Sequence, residues 1–203
     1  MKLFCTLTSP YARKVRVVLA EKKIDYDLVI ESPRTSETIA HYNPLARVPV
    51  LVLDDDTSVF DSPVIVEYLD NVAPNNKLMP QPNRERIEVK CREALADGLI
   101  DAAVAIRGES LRPPKVKDTA AMERNKLAIG RSLQTMEYRL GDNTWSMGTH
   151  FGLADIALGS ALGYLDFRFP DIDWRTPQPN LARLYEKLMQ RPSFIDTMPP
   201  AGA

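Results

Sequence analysis

"TSPYARKVR", residues 8–16, follows the first apolar run of the chain, and its reading decides the fold. "KLFCTL" (2–7) ahead of it reads as a strand. Ser9-Pro10 then joins a preferred helix N-cap to a preferred first helical residue. With cysteine in place of Ser9 the turn would read C-P-Y-A, close to a thiol redox site at a helix start. This chain carries no thiol there. Val15, Val18, Leu19 and Lys22 recur at helical spacing, so a helix is predicted over 10–23, the lysine stem covering the end of its apolar stripe.

Strand and helix signals continue to alternate beyond it. "YDLVI" (26–30) is a second strand, parallel to the first because a helix connects them. "VPVLVL" (48–53) is a third, "DDD" (54–56) a turn, and "TSVF" (57–60) a fourth strand returning as a hairpin. "SPVIVEYLDNV" is helical, with Ile65, Tyr68, Leu69 and Val72 on one face. The order is βαβ followed by ββα. "APNNKLMPQPN" (73–83) has the proline and asparagine content of a linker. No strand pattern recurs after it. Helices are predicted over 84–108, 118–140, 152–165 and 180–190, with "RPPK" (112–115) breaking the first from the second. "GLADIALGSALGYL" (152–165) is apolar nearly all round and belongs in the middle of a helical domain. The division is thus a mixed α/β domain over 1–73, a linker over 74–83 and an all-helical domain over 84–203.

Composition narrows the chemistry. The 203 residues are 44% hydrophobic and 26% charged, with net charge −1. That balance suits a packed core and attracts neither nucleic acid nor an anionic membrane. No apolar run approaches the length of a membrane span, and the N-terminus lacks the apolar core of a signal peptide. Two unpaired cysteines, Cys5 and Cys91, fit a reducing compartment, and a cytoplasmic location is expected. His41 and His150 have no cysteine or histidine at ligand spacing, so no metal is expected. Nucleotide-binding glycine loops and the G-x-S-x-G elbow are absent. Any reactive group arrives with a ligand.

Both N-terminal helices open on Ser-Pro, at Ser9-Pro10 and Ser62-Pro63. Good caps need no ligand, but the charges around them are uneven. Arg13, Lys14 and Arg16 crowd the start of the first helix, with no acid before Glu21, although a helix N-terminus prefers acids. They mark either a site that holds an anion or a solvated basic face. At the second helix Asp61 precedes Ser62, so a carboxylate, a hydroxyl and open N–H groups share one place and suit a zwitterion. In "NPLARVPV" (43–50), a cis Val48–Pro49 bond would turn the Val48 backbone outward to pair with a peptide as an added strand does.

Taken together, "TSPYARKVRVVLAEK", "NPLARVPVLV", "FDSPVIVEYL" and "GLADIAL", in that order, resemble the cytosolic glutathione S-transferase family, in particular bacterial members with serine at the first helix start. The resemblance covers nearly the whole chain. It implies a thioredoxin-like N-terminal domain, an all-helical C-terminal domain, a homodimer, and glutathione as co-substrate in detoxification. It makes the cis state of Pro49 the expected one. Position by position, Ser9 matches the catalytic serine that donates to the glutathione sulfur. Val48, before Pro49, matches the residue that pairs with the cysteinyl unit, and Asp61 and Ser62 match the pair that binds the γ-glutamyl head. Arg47 falls where a basic residue can face the glycyl carboxylate. The resemblance puts the electrophile site between the domains, lined by the Leu7–Tyr11 turn and the helix of 84–108, with Tyr11 and Arg107 as candidates. Gly152 stands where the family has a Ser or Thr cap, which leaves Asp155 only half of a capping box.

Two other functions use the same frame. A glutathione-dependent oxidoreductase or peroxidase would need a nucleophilic cysteine at position 9. A non-catalytic protein-binding module would not need the ligand-binding set at all.

Overall fold

The computed structural model describes residues 1–202, which form two compact units. The first joins residues 1–79 to the segment from Met189 onward, and the second spans Pro80–Leu188.

In the first unit the strands are β1 (Lys2–Cys5), β2 (Asp27–Ile30), β3 (Val50–Val52) and β4 (Ser58–Val59), in the order β2-β1-β3-β4. β1 pairs parallel with β2, antiparallel with β3, and β3 pairs antiparallel with β4. This is the four-stranded mixed sheet of the thioredoxin-like fold. The strands are shorter than the predicted runs, and Pro49, which has no N–H to give a ladder, stands just before β3. Helix α1 (Pro10–Lys22) and helix α3 (Ser62–Val72) match the predicted positions.

A short helix, α2 (Glu37–Tyr42), was not foreseen. It is too brief for periodicity to betray. Its one sequence signal is Ser36, whose Oγ accepts from Ile39 N at 3.0 Å. Ile39 is buried with Phe4, Val50 and Val52, and this cluster holds α2 against the sheet.

Two readings of α1 are corrected by packing. Arg13, Lys14 and Arg16 are not a solvated face, because all three are buried, and the two arginines direct donors to main-chain carbonyls rather than outward. The Arg13 guanidinium donates to the Phe194 carbonyl at 3.2 Å and sits 5.7 Å from the Phe194 ring centroid. Arg16 donates to the carbonyls of Asp196 and Thr197 at 3.2 and 3.4 Å. These carbonyls end the short helix α8 (Pro192–Ile195), where unsatisfied acceptors attract cations. Glu21 joins the same seam. It takes Arg191 through both carboxylate oxygens, at 2.8 and 2.7 Å, and accepts from Ser193 Oγ. The final segment therefore packs with the mixed unit, where the sequence had assigned it to the helical one.

Lys22 does more than cover a stripe. It is 1% exposed, and its ammonium donates to Asp70 Oδ1 at 3.0 Å and to the Asn75 and Asn76 carbonyls. Asp70 also accepts from the Leu78 and Met79 N–H groups, so one buried ion pair anchors the start of the linker. Asp70 is the acid that α3 presents at its C-terminal end, and an isolated cation or anion in that place would be costly to bury.

The second unit holds α4 (Arg84–Ser110), α5 (Thr119–Leu140), α6 (Leu153–Arg168) and α7 (Pro179–Leu188). Every residue of α6 from Leu153 to Leu165 is buried, as its all-round apolar sequence requires. Asp155 caps that helix and ties down the loop ahead of it. Its carboxylate accepts from Gly152 N at 2.9 Å and from Ser146 N at 2.7 Å. Burial pushes the Asp155 pKa up, against the pull of those N–H groups and of Arg92. Glu137 of α5 caps α7 in the same manner, accepting from Asn180 N and Leu181 N. No helix among the described residues is long and apolar enough to cross a membrane.

Candidate functional site

The strand register brings three of the predicted positions to one end of the sheet. Phe4 of β1 faces Val50 of β3, and Leu51 of β3 faces Val59 of β4. β1 runs out toward Ser9, β3 runs in from Val48, and β4 runs out toward Asp61. With neighbouring strands about 4.8 Å apart, the three exits lie within roughly 10 Å laterally. Antiparallel pairing of β3 with both neighbours is what collects them.

Ser9 is the N-cap of α1 in extended conformation, with φ −75° and ψ 122°. Its Oγ accepts from Ala12 N at 3.2 Å. A hydroxyl that accepts in this way keeps its own proton to donate elsewhere. No acid lies in the first turn of α1, so the partial positive charge of the helix end is not cancelled there.

The Val48–Pro49 bond is cis. The loop ahead of it is organised by Asn43, which was not singled out in the sequence. Asn43 is 2% exposed. Its Nδ2 donates to the Arg47 carbonyl at 3.0 Å, and its Oδ1 accepts from Leu45 N at 3.0 Å. Ala46, between them, has a left-handed φ of 48°. The signal available was Asn-Pro, a turn-initiating pair. Arg47 itself is exposed on this loop, and Val48 is half-buried against the Phe4–Ile39 cluster.

At α3 the cap shifts by one residue from the expected place. Asp61 is the N-cap and Ser62 the first helical residue, with no side chain capping the helix. The Asp61 carbonyl takes Val64 N and Ile65 N, at 3.1 and 3.0 Å. Asp61 is exposed and Ser62 buried. The Phe60–Asp61 peptide is also cis.

The remaining candidates fall on different units. Tyr11, half-buried, lies in the first turn of α1; Arg107, also half-buried, lies in the last turn of α4. The two cysteines differ. Cys5 is fully buried in β1, and burial raises its thiol pKa against the opposing charge of Arg16, whereas Cys91 is exposed on α4. No group of three or more His, Cys, Asp or Glu side chains able to hold a metal occurs among the described residues.

A thioredoxin-like unit with a serine-capped helix and a cis-proline loop at one sheet end, continued by a helical unit, defines a class that comparison makes specific. Residues 8–72 match the model for the N-terminal domain of glutathione S-transferase, and residues 119–187 the model for its C-terminal domain. The chain belongs to the glutathione S-transferase family. It is 48% identical to a glutathione S-transferase from Methylobacillus flagellatus KT solved with glutathione bound, with a TM-score of 0.95 over 98% of this chain and 99% of that one. It is 39% identical to the uncharacterized GST-like protein YibF of Escherichia coli K12, over 98% of this chain and 99% of that protein. It is also 30% identical to a stringent starvation protein A homolog from Coxiella burnetii, over 96% of this chain and 89% of that protein.

Proposed function

We propose that this chain is a glutathione transferase in which Ser9 stabilises the thiolate of bound glutathione for attack on an electrophilic carbon. The observation that carries the reading is the Ser9 geometry: Oγ held by Ala12 N at 3.2 Å at the start of α1, with its proton left to donate. Glutathione bound in the Methylobacillus relative supports the choice of thiol. In the proposed site Val48 pairs its backbone with the cysteinyl unit beside cis-Pro49. The Asp61 carboxylate faces the γ-glutamyl ammonium, and Ser62 with its open N–H receives the γ-glutamyl carboxylate. Arg47 faces the glycyl carboxylate. A free thiol with a pKa of about 8.5 is mostly protonated at neutral pH, and a helix N-terminus lowers such values. The thiolate lone pair then forms the carbon–sulfur bond, and the displaced electron pair leaves with the leaving group or shifts into the acceptor's π system. The reading includes a homodimer acting in the cytoplasm in detoxification, the dimer being testable by sedimentation.

The oxidoreductase reading is disfavoured by the same residues. Serine cannot form a mixed disulfide, and Cys5 is buried with a raised pKa. The competing reading, a protein-binding module of the same fold, does not need the ligand-binding set. Calorimetry with glutathione, together with ultraviolet titration of the bound thiol, separates the two. The transferase reading requires saturable binding, a thiol more acidic than in free glutathione, and turnover of a chloroarene. No heat at millimolar glutathione refutes it and leaves the binding module.

A further inference from the structure

The loop of residues 43–47 ends at an amide that the folded chain leaves without an acceptor. Val48 is half-buried, yet its N–H donates no hydrogen bond among the described residues. A donor in such a place is ordinarily paired within the chain, with water or with a ligand. Its direction is set by the other half of the same peptide unit. The Arg47–Val48 peptide is trans, so its C=O and N–H point in opposite directions. The Arg47 carbonyl accepts from Asn43 Nδ2 at 3.0 Å, and Asn43 is 2% exposed. The Val48 N–H therefore points away from that buried carboxamide.

Asn43 is bonded through each of its polar atoms. Its own N–H donates to the Ile39 carbonyl at 2.8 Å, and its carbonyl accepts from Ala46 N at 2.8 Å. Its Oδ1 accepts from Leu45 N at 3.0 Å while Nδ2 holds Arg47. A carboxylate of the same shape has no donor for the second contact. The base of the arrangement is the sheet. Ile39 is buried with Phe4 of β1 and with Val50 and Val52 of β3, and Tyr42 packs on the same cluster. The Tyr42 hydroxyl donates to Asp56 Oδ1 at 2.7 Å, in the turn between β3 and β4. One side chain thus ties the orientation of the Arg47–Val48 peptide to strands β1 and β3.

We infer that Asn43 is a positioning residue for glutathione, aiming the Val48 N–H so that the cysteinyl carbonyl of the ligand meets a donor already in place. The inference rests on the transferase reading, in which Val48 pairs with the cysteinyl unit. Asn43 touches no reacting atom. It acts on affinity, by removing part of the ordering cost of binding, and leaves thiol acidity to Ser9.

The test titrates S-methylglutathione, which has no free thiol, into wild type and Asn43→Ala by calorimetry, each held well below its unfolding midpoint. Loss of the Nδ2 donor raises the dissociation constant about two- to ten-fold, the worth of one hydrogen bond. The KM for glutathione rises by the same factor, while kcat and the pKa of the bound thiol keep their wild-type values. A merely structural role lowers the unfolding midpoint and leaves the affinity of the folded protein unchanged. Amide NMR of the wild type gives a readout that needs no variant. On addition of S-methylglutathione the Val48 amide proton moves downfield and exchanges more slowly, while the Asn43 side-chain amide signals, already bonded, stay in place. Unchanged affinity in Asn43→Ala overturns the inference and leaves the transferase reading intact. Asn43 signals that shift as far as that of Val48 also overturn it, because the ligand would then be organising the loop. So does a variant that loses kcat at unchanged KM. Failure of glutathione and S-methylglutathione to bind wild type refutes the transferase reading and, with it, this one.

Discussion

Replacing Ser9 by alanine tests the thiolate model most directly, because the structure assigns that hydroxyl two separable tasks. The first is the cap on Ala12 N. Losing an N-cap hydroxyl costs about 1 kcal/mol, and Ser9→Gly only a few tenths, so the alanine variant unfolds at lower urea while keeping its fold. The second is the donated proton. A hydrogen bond to a charged acceptor is worth about 1.5–3 kcal/mol. At about 1.36 kcal/mol per unit, its loss raises the bound thiol pKa by about 1–2 units. Below both pKa values the thiolate fraction then falls about 10- to 100-fold. The more basic thiolate is also the better nucleophile, and a Brønsted slope of about 0.4–0.5 returns roughly 3- to 8-fold of that. The net expectation is a loss of about 4- to 12-fold in turnover on the acid side. On the alkaline side, above both pKa values, the deficit vanishes or reverses. Turnover of a chloroarene under saturating glutathione, followed across pH, reads both the magnitude and the inflection. An inflection left at the wild-type position, or a deficit of equal size at every pH, refutes the claim that Ser9 acts through thiol acidity.

Three further outcomes follow from the fold. Lys22→Met strands Asp70 as a buried carboxylate, since the pair is only 0% and 2% exposed, and chemical denaturation should show a loss of about 3–5 kcal/mol. The double variant Lys22→Met/Asp70→Asn should cost less than the two single changes summed. Asp155→Ala leaves the Ser146 and Gly152 N–H groups without their acceptor; at about 1–3 kcal/mol for each, urea unfolding should show a loss of about 2–6 kcal/mol. The Glu21 carboxyl is pushed up by burial, but hydrogen bonds from Arg191 and Ser193 and the Arg191 charge outweigh this and hold it below its usual range. Its bonds therefore stabilise the fold above the unfolded carboxyl pKa, and that contribution is lost as pH falls through the folded value. Acid unfolding should begin at higher pH in wild type than in Arg191→Leu/Glu21→Gln, measured relative to each protein's own neutral-pH stability.

Much of this chain is written in local chemistry. Ser-Pro pairs start two helices, alternating runs make the strands, and a segment apolar on every side becomes the buried α6. Short-range steric and hydrogen-bonding preferences decide such features, so neighbours in sequence reveal them. The placement of Ser9, Val48 and Asp61 at one sheet end followed from strand order. What sequence could not decide was which long-range partner satisfies each buried charge. Arg13 and Arg16 read as either an anion site or a solvated face because the Phe194, Asp196 and Thr197 carbonyls that accept from them lie some 180 residues away. Lys22 looked like a helix-end lysine until Asp70 and the linker carbonyls closed over it. A cation in a local window signals only that an acceptor is required. Tertiary packing selects the acceptor, because a buried charge is tolerated only where the folded chain returns a complementary group to meet it.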